Sequence, residues 1–293
     1  MPLEPKISVN EREFLLDALR QNLRLSGRKL DALRPLSITF DPDDYGVTEV
    51  QLGKTRIRAH TQTTITNPPP SRPFEGTLTI TAELSPLTAP HFELARPSDT
   101  EALLSRLLEK SIRRSGALPV ESLCLLAGDK CFNLRVTVHV LAHDGGLPTA
   151  AFVAVLASLM TSRVPATEVR GGEVQVFTAE EREGVRLQLV HVPIAVGVSV
   201  FDGGAIGVVD ADGMEEQARE GEVVVVGNEV GEICGVTKWG GVDVGAVELV
   251  GMVEEARKQC EGVVKWLKGK VEEEEKRRAK RDHAGERSAE NQR

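Results

Sequence analysis

The sequence predicts an α/β protein of the α+β type in which a group of strands followed by a helix occurs twice. Alternating apolar residues indicate strands in both halves of the chain, and apolar residues at helical spacing follow each group. Aromatic residues make up only 4% of the 293 residues, whereas 41% are hydrophobic. The interior must therefore consist mostly of aliphatic side chains, which suits helices packed on sheets.

The first half begins with a helix over residues 9–25, where Ser8 and Glu11 have the spacing of a capping box. Strands are expected at 36–40, 47–52, 56–65 and 77–84, with a proline-rich loop at 67–73. A helix over 98–115, strands as far as residue 144 and an apolar helix over 150–160 complete this half. Two sets of apolar residues should form the buried stripes of the first two helices: Phe14, Leu15, Ala18, Leu19 and Leu23, then Leu103, Leu104, Leu107, Leu108 and Ile112.

The second half repeats the pattern after Gly171 and Gly172. Strands are expected at 174–177, 187–190, 194–200, 205–209, 222–227 and 232–238, with a short helix near 213–219 and a long one from about 244. The predicted organisation is an N-terminal helix and arm (1–30), a first half (31–170), a second half (171–268) and a charged tail (269–293). In the tail, acidic residues four positions before basic ones favour an exposed helix that becomes disordered from Gly285. Its basic run 276–281 is either a nuclear-import patch or a solvated helix face.

Composition excludes several classes of function. The formal net charge of −8 argues against a freestanding nucleic-acid binder with a broad basic face. No apolar run approaches the roughly 20 residues that a membrane span needs, and the N-terminus has no secretory signal. The cysteines lack metal-site spacing, so we expect buried thiols in a reducing compartment and neither a metal nor a cofactor. The cysteines stand at positions 124, 131, 234 and 260.

The most informative segment is a turn between a strand and a helix, formed by Asp144, Gly145, Gly146, Leu147, Pro148 and Thr149. Glycines before a helix N-terminus are typical of phosphate-binding turns, because the free N–H groups and the helix dipole attract anions. Here, however, proline removes one donor and leucine places hydrocarbon where a ligand would lie. The turn is therefore predicted to be a degenerate phosphate site.

This turn resembles the Asp-Gly-Gly-Ser/Thr-Arg-Thr/Cys-Ala signature of the RNase PH family of phosphorolytic 3′-to-5′ exoribonucleases. Asp144, Gly145, Gly146, Thr149 and Ala150 match the signature, but the two phosphate ligands of the family fall on Leu147 and Pro148. Other stretches over residues 8–262 resemble a non-catalytic ring subunit of the eukaryotic RNA exosome, similar to the inactive partner subunit of archaeal exosomes. They lie at residues 10–14, 27–28, 72–76, 83–86, 96–99, 121–124 and 127–130.

The resemblance implies an RNase PH fold, a duplicated βα unit related to the ribosomal protein S5 domain 2-like fold. It implies a structural subunit with no catalytic residues that supports rRNA maturation and mRNA turnover by guiding RNA to nucleases. Implied partners are other RNase PH-like ring subunits, S1/KH cap subunits, RNA in the ring channel and nucleases, and the implied location is nucleus, nucleolus and cytoplasm. The alternative is an active phosphorolytic exoribonuclease that holds phosphate with groups from elsewhere.

RNA contact is expected from four cations on the helix over 98–115, namely Arg106, Lys110, Arg113 and Arg114. Their spacing places them on one polar stripe that could hold phosphates without reading sequence, although a plain solvated face is the alternative. In related ring subunits, arginines at matching positions point toward the RNA path. Acidic residues of the second half are not expected to be catalytic, because the acidic position of active relatives falls near Gly221. Those considered are Asp202, Asp210, Asp212, Glu220 and Glu222.

Overall fold

The computed structural model describes residues 7–89, 92–93, 97–171, 173–178 and 181–290. Arg96 and Gly172, which the sequence analysis uses, and the last three tail residues lie outside this range. The helices are α1 (Val9–Arg20), α2 (Asp99–Arg114), α3 (Leu147–Thr161), α4 (Gly213–Ala218) and α5 (Ala246–Glu290). The strands are β1 (Leu36–Phe40), β2 (Val47–Leu52), β3 (Thr55–Thr66), β4 (Thr77–Leu84), β5 (Cys124–Leu126), β6 (Lys130–Ala142), β7 (Arg163–Val164), β8 (Thr167–Arg170), β9 (Glu173–Val176), β10 (Val185–Arg186), β11 (Ile194–Phe201), β12 (Ile206–Val209), β13 (Gly221–Gly227) and β14 (Ile233–Gly240).

The two main groups of strands form two separate sheets, which confirms the predicted α+β class and the repeated unit. Two further pairs, β7 with β10 and β8 with β9, form small two-stranded sheets. The first sheet has the order β1-β2-β3-β6-β4, with β5 beside β6. Its pairs are antiparallel except for β4 with β6, which run parallel. The second sheet has the order β12-β11-β13-β14 and is antiparallel throughout.

Helix α3 lies between the sheets, where it contacts β2 and β3 of the first and β11 of the second. Nearly all of its side chains are buried, as its unbroken apolar sequence requires. One hydrophobic cluster joins residues of both halves around this helix, including Phe152, Ile194 and Val264. The core is therefore continuous across the predicted boundary near residue 170.

A buried ionic cluster joins the N-terminal segment to the second half. Arg24 forms a pair with Glu215 at 2.6 Å, and both side chains are buried. Arg34 lies 2.7 Å from the fully buried carboxylate of Asp210, which also accepts the Arg34 main-chain N–H at 2.7 Å. Arg28 approaches the same carboxylate at 3.2 Å. The burial of these charges is tolerated because each has an opposite charge beside it.

Several local predictions are wrong, each because tertiary contacts override the local pattern. Helix α1 ends at Arg20 rather than near residue 25, since Asn22 adopts a positive φ of 58° and the chain turns so that Arg24 can reach its buried partners. Residues 187–190 form no strand. The two residues before them form the short strand β10, which pairs with β7. Phe14, Leu23 and Leu103, assigned to buried stripes, are 63%, 59% and 46% exposed.

The cysteine prediction holds in part. Cys131 and Cys260 are buried, and burial raises the pKa of the Cys260 thiol to about 12. Cys124 and Cys234 are only partly buried, so the expectation that all four lie in the core is wrong for these two. All four are free thiols.

The tail is helical, as its charge pattern predicts, but one of its faces is buried rather than solvated. Helix α5 continues to Glu290, past Gly285 where disorder was expected. Glu274 and Arg278 are buried, their side chains bond at 2.8 Å, and the Arg278 guanidinium lies 4.5 Å from the ring centre of Tyr45. One cation of the candidate import patch is therefore used to attach α5 to the first half. No helix among the described residues could span a membrane.

We expect Arg34→Met to lower the free energy of unfolding by about 3–5 kcal/mol, because it leaves the Asp210 carboxylate buried without its main counter-charge. Denaturant unfolding followed by circular dichroism measures this change. The matched control is Arg20→Met, which breaks the solvent-screened surface pair with Asp202 and should cost far less. Equal losses for the two variants would contradict the role given to the buried pair.

Candidate functional site

A cleft of about 470 Å³ opens where the predicted turn meets the second half. Its sides come from α2, from the turn between β6 and α3, from α4 and from β13 and β14. The cleft is lined by Ala89, Phe92, Thr100, Leu103, Leu104, His143, Gly145, Leu147, Pro148, Gly213, Glu216, Gln217, Arg219, Glu222 and Trp239. Its volume lies within the range of small-molecule sites.

Two glycines allow the turn to press against the second half. Gly145 and Gly146 have φ angles of 81° and 67°, which side chains rarely adopt. A Cβ on Gly145 would lie 2.3 Å from the carbonyl oxygen of Ala211, and one on Gly146 would lie 2.5 Å from Nη2 of Arg34. The glycines are thus explained by close approach of protein to protein, with no ligand needed.

The N-terminus of α3 is already occupied by a carboxylate of the same chain. The N–H of Gly146 donates to Oε1 of Glu216 at 3.0 Å, and Pro148 has no N–H to offer. Leu147 is only 5% exposed and covers the turn on the cleft side. An inorganic phosphate here would meet a fixed negative charge and hydrocarbon instead of donors.

His143 completes the polar lining beside the turn. Its Nδ1 accepts the N–H of Gly145 at 3.3 Å, and its Nε2 lies 3.6 Å from Oε2 of Glu216. Burial lowers the pKa of His143, with the Glu216 charge opposing that effect. The imidazole is therefore neutral at pH 7, with its proton on Nε2.

Two carboxylates share one guanidinium on the floor of the cleft. Arg219 Nη1 lies 2.9 Å from Oε2 of Glu222 and 3.4 Å from Oε1 of Glu216. Burial raises the pKa of Glu222 to about 7, while Arg219 opposes the shift and Glu216 adds to it. Glu222 was one of the acidic residues considered above, but the sequence could not predict its burial, because that burial arises where β13 lies between β11 and β14 in the folded sheet.

The other acidic candidates lie apart from the cleft lining. Asp212 is the N-cap of α4 and accepts the Glu215 N–H. Asp210 directly follows strand β12 and is the anchor of the ionic cluster. Glu220 points away from Glu222 and accepts the Gly203 N–H at 2.8 Å. Asp202 bonds to Arg20 on the surface.

The four cations predicted to contact RNA are exposed on α2, and none of them lines the cleft. Arg113 lies 3.7 Å from Glu75 and 3.9 Å from Glu109, so its charge is partly neutralised. Arg106, Lys110 and Arg114 project from the same helix whose other face packs on β4. The stripe and the turn are thus two separate surfaces.

Metal binding has no support in the described part of the chain, where no group of three or more histidine, cysteine or acidic side chains could hold an ion. One buried polar atom near the turn also lacks a partner there, the Thr149 hydroxyl. Thr149 is a matching residue of the family signature, yet it is buried in α3 rather than part of the cleft lining.

Two family models match the chain in the order of its two halves. Domain 1 of the 3′ exoribonuclease family, RNase PH, matches residues 32–165, and domain 2 matches residues 191–259. The cleft is lined by residues from both matched ranges.

Full-length relatives show the same similarity. The chain is 42% identical to exosome complex component rrp45 of Schizosaccharomyces pombe over 85% of each chain. It is 37% identical to exosome complex component RRP45 of Saccharomyces cerevisiae over 96% of each. Among solved structures, an Archaeoglobus fulgidus exosome with RNA bound to the active site matches with a TM-score of 0.78 and 24% identity, over 89% of this chain and 97% of that one.

We expect the stability of the protein to fall as pH rises from about 5 to 7, in part because of Glu222. Its pKa is about 7 in the folded state and near 4.5 in the unfolded state, so the native state holds the extra proton in this window. The contribution is about 1.4 kcal/mol per pH unit inside the window. Glu222→Gln should flatten the pH dependence of the unfolding midpoint, whereas the exposed Glu121→Gln should leave it unchanged. Parallel curves for Glu222→Gln and the parent would contradict the raised pKa.

Proposed function

We propose that this chain is a non-catalytic structural subunit of an RNA exosome ring. It belongs to the 3′ exoribonuclease (RNase PH) family and has RRP45 exosome components as relatives. The observation that carries the absence of catalysis is the turn at 144–149. An active member of the family must bind phosphate at this turn. In this chain the Glu216 carboxylate and the side chains of Leu147 and Pro148 lie at the position of that phosphate. The subunit supports 3′-to-5′ RNA processing and degradation by scaffolding and by guiding RNA to nuclease partners.

Exposed apolar side chains support assembly with other ring subunits. Val9 and Phe14 project from α1, and Val247 and Val250 from the first turns of α5, all more than half exposed. Apolar side chains repeated on two helices are typical of surfaces that become buried in a complex. A ring protomer needs two different contact surfaces of this kind, because its contacts are heterologous. The S1/KH cap subunits, and a location in nucleus, nucleolus and cytoplasm, follow from the same proposal.

RNA guidance rests on the α2 stripe. It offers four exposed cations on one helix, namely Arg106, Lys110, Arg113 and Arg114. Phosphate contacts of this type bind RNA without sequence preference. With a net charge of −8, the rest of the surface does not favour RNA, so contact has to be local. The stripe therefore acts within the assembled ring, where partners supply the remaining contacts.

We expect the purified chain, given labelled RNA, Mg²⁺ and inorganic phosphate, to release no nucleoside diphosphate, and to co-purify with other RNase PH-like ring subunits when co-expressed. Leu147→Ser with Pro148→Arg should still bind no phosphate, because the Glu216 carboxylate remains at the helix N-terminus. Adding Glu216→Gln should allow phosphate to bind, measured by calorimetry. Nucleoside diphosphate release by the parent chain would overturn the non-catalytic role, and failure to join a ring would overturn the structural one.

We expect Arg106→Glu with Arg113→Glu to weaken RNA protection by the assembled ring about tenfold, because two phosphate contacts become repulsive. Nuclease footprinting of the RNA measures protection. The matched control is Lys258→Glu with Lys265→Glu, exposed positions with the same spacing and charge change on α5. Equal protection by the two double variants would remove the role of the stripe.

A further inference from the structure

The cleft combines apolar walls with a negative floor. Leu103, Leu104, Leu147 and Pro148 form apolar sides, and Trp239 adds an aromatic surface. The carboxylates of Glu216 and Glu222 lie at the bottom beside Arg219. This combination differs from a phosphate site, in which cations and N–H donors converge.

The described lining carries an unmatched negative charge. Arg219 can balance only one of the two carboxylates that it contacts, and His143 is neutral. The N–H of Gly146 contributes a partial charge to Glu216 alone. Glu222 is therefore left without a full counter-charge in a nearly dry position, and an outside cation would lower the cost of ionising it.

The shape of the cleft limits what that cation can be. A bare metal ion lacks ligands among the described residues, and an anionic nucleotide would be repelled by both carboxylates. A volume of about 470 Å³ holds a long basic side chain together with an apolar neighbour, and the walls suit an aliphatic stem. Charge complementarity selects arginine or lysine over uncharged side chains.

We propose that this cleft, derived from a catalytic pocket, binds an arginine or lysine side chain in an extended, apolar-flanked peptide segment of another protein. The basic head contacts Glu222 and Glu216, and the stem lies between Leu147 and Trp239. This proposal goes beyond the ring role, because the cleft is formed by this chain alone and does not require neighbouring subunits.

Binding should depend on the protonation of Glu222. The charged or titratable groups that face it are Arg219 and Glu216 from the α4 region, with His143 of the turn behind Glu216. Its neighbours across β11 and β14, Ser199 and Trp239, carry no charge. Affinity for a basic peptide should rise as pH increases from 6 to 8.

The test uses the full chain, or the ring that contains it, and a fluorescein-labelled Pro-Leu-Arg-Leu-Pro peptide followed by fluorescence polarisation. We expect saturable binding that becomes at least about tenfold weaker when citrulline replaces the peptide arginine, because a charge-assisted contact is lost. Glu222→Gln should weaken binding by a similar factor, whereas the exposed Glu121→Gln should change it less than about twofold.

A second variant covers the case in which Glu222→Gln disturbs folding. Thr100 is exposed at the rim of the cleft, and Thr100→Trp should block entry and weaken binding at least about tenfold with an unchanged circular dichroism spectrum. Parent-strength binding by this variant would overturn the proposal, as would equal binding of a peptide with glutamate in place of arginine. Displacement of the peptide by oligouridylate would also overturn it, because the cleft would then be a nucleic-acid site.

Discussion

The structure depends on the buried pair between Arg34 and Asp210. The Arg34 guanidinium also donates to the carbonyl oxygens of Asp144 and Ala211. One side chain thus joins the N-terminal segment, the strand-to-helix turn and the strand end of the second half. Together with the bonds from Gly146 to Glu216 and from Gly213 to Asp144, this junction fixes the position of the turn relative to α4 and so the width of the cleft. Asp210 adopts a positive φ of 51° where the chain packs around this charge, a conformation uncommon for residues other than glycine.

The same junction determines the chemistry of the turn. Because the turn is held against α4, the Glu216 carboxylate reaches the N–H of Gly146, the N-cap residue of α3, at the end of a helix that attracts anions. The cleft beside the turn therefore has carboxylates where a phosphate site has cations and N–H donors. Close packing of protein around Gly145 and Gly146 is enough to require glycine there, so these glycines alone are poor evidence of activity.

Local features could be predicted from the sequence and long-range ones could not. The capping boxes at Ser8 and Asp212, strand β4 and the apolar helix α3 follow from patterns within a few residues. The burial of Glu222 and of Arg278 depends on segments far away in sequence, and periodicity carries no information about them. For the same reason Phe14 and Leu103 were assigned to the core, although the folded chain leaves Phe14 exposed on α1 and Leu103 at the cleft.

Helix α5 has a mechanical consequence. It begins over the second sheet, where Met252 and Ala256 pack, continues across the central core at Val264 and is fastened to Tyr45 of the first half through Arg278. A helix rises roughly 1.5 Å per residue, so the fastening lies roughly 48 Å from its first residue. A helix packed against both halves over this length resists hinge motion between them and keeps their relative orientation constant. The ring role proposed above requires such stiffness, because a closed ring tolerates little angular error per member.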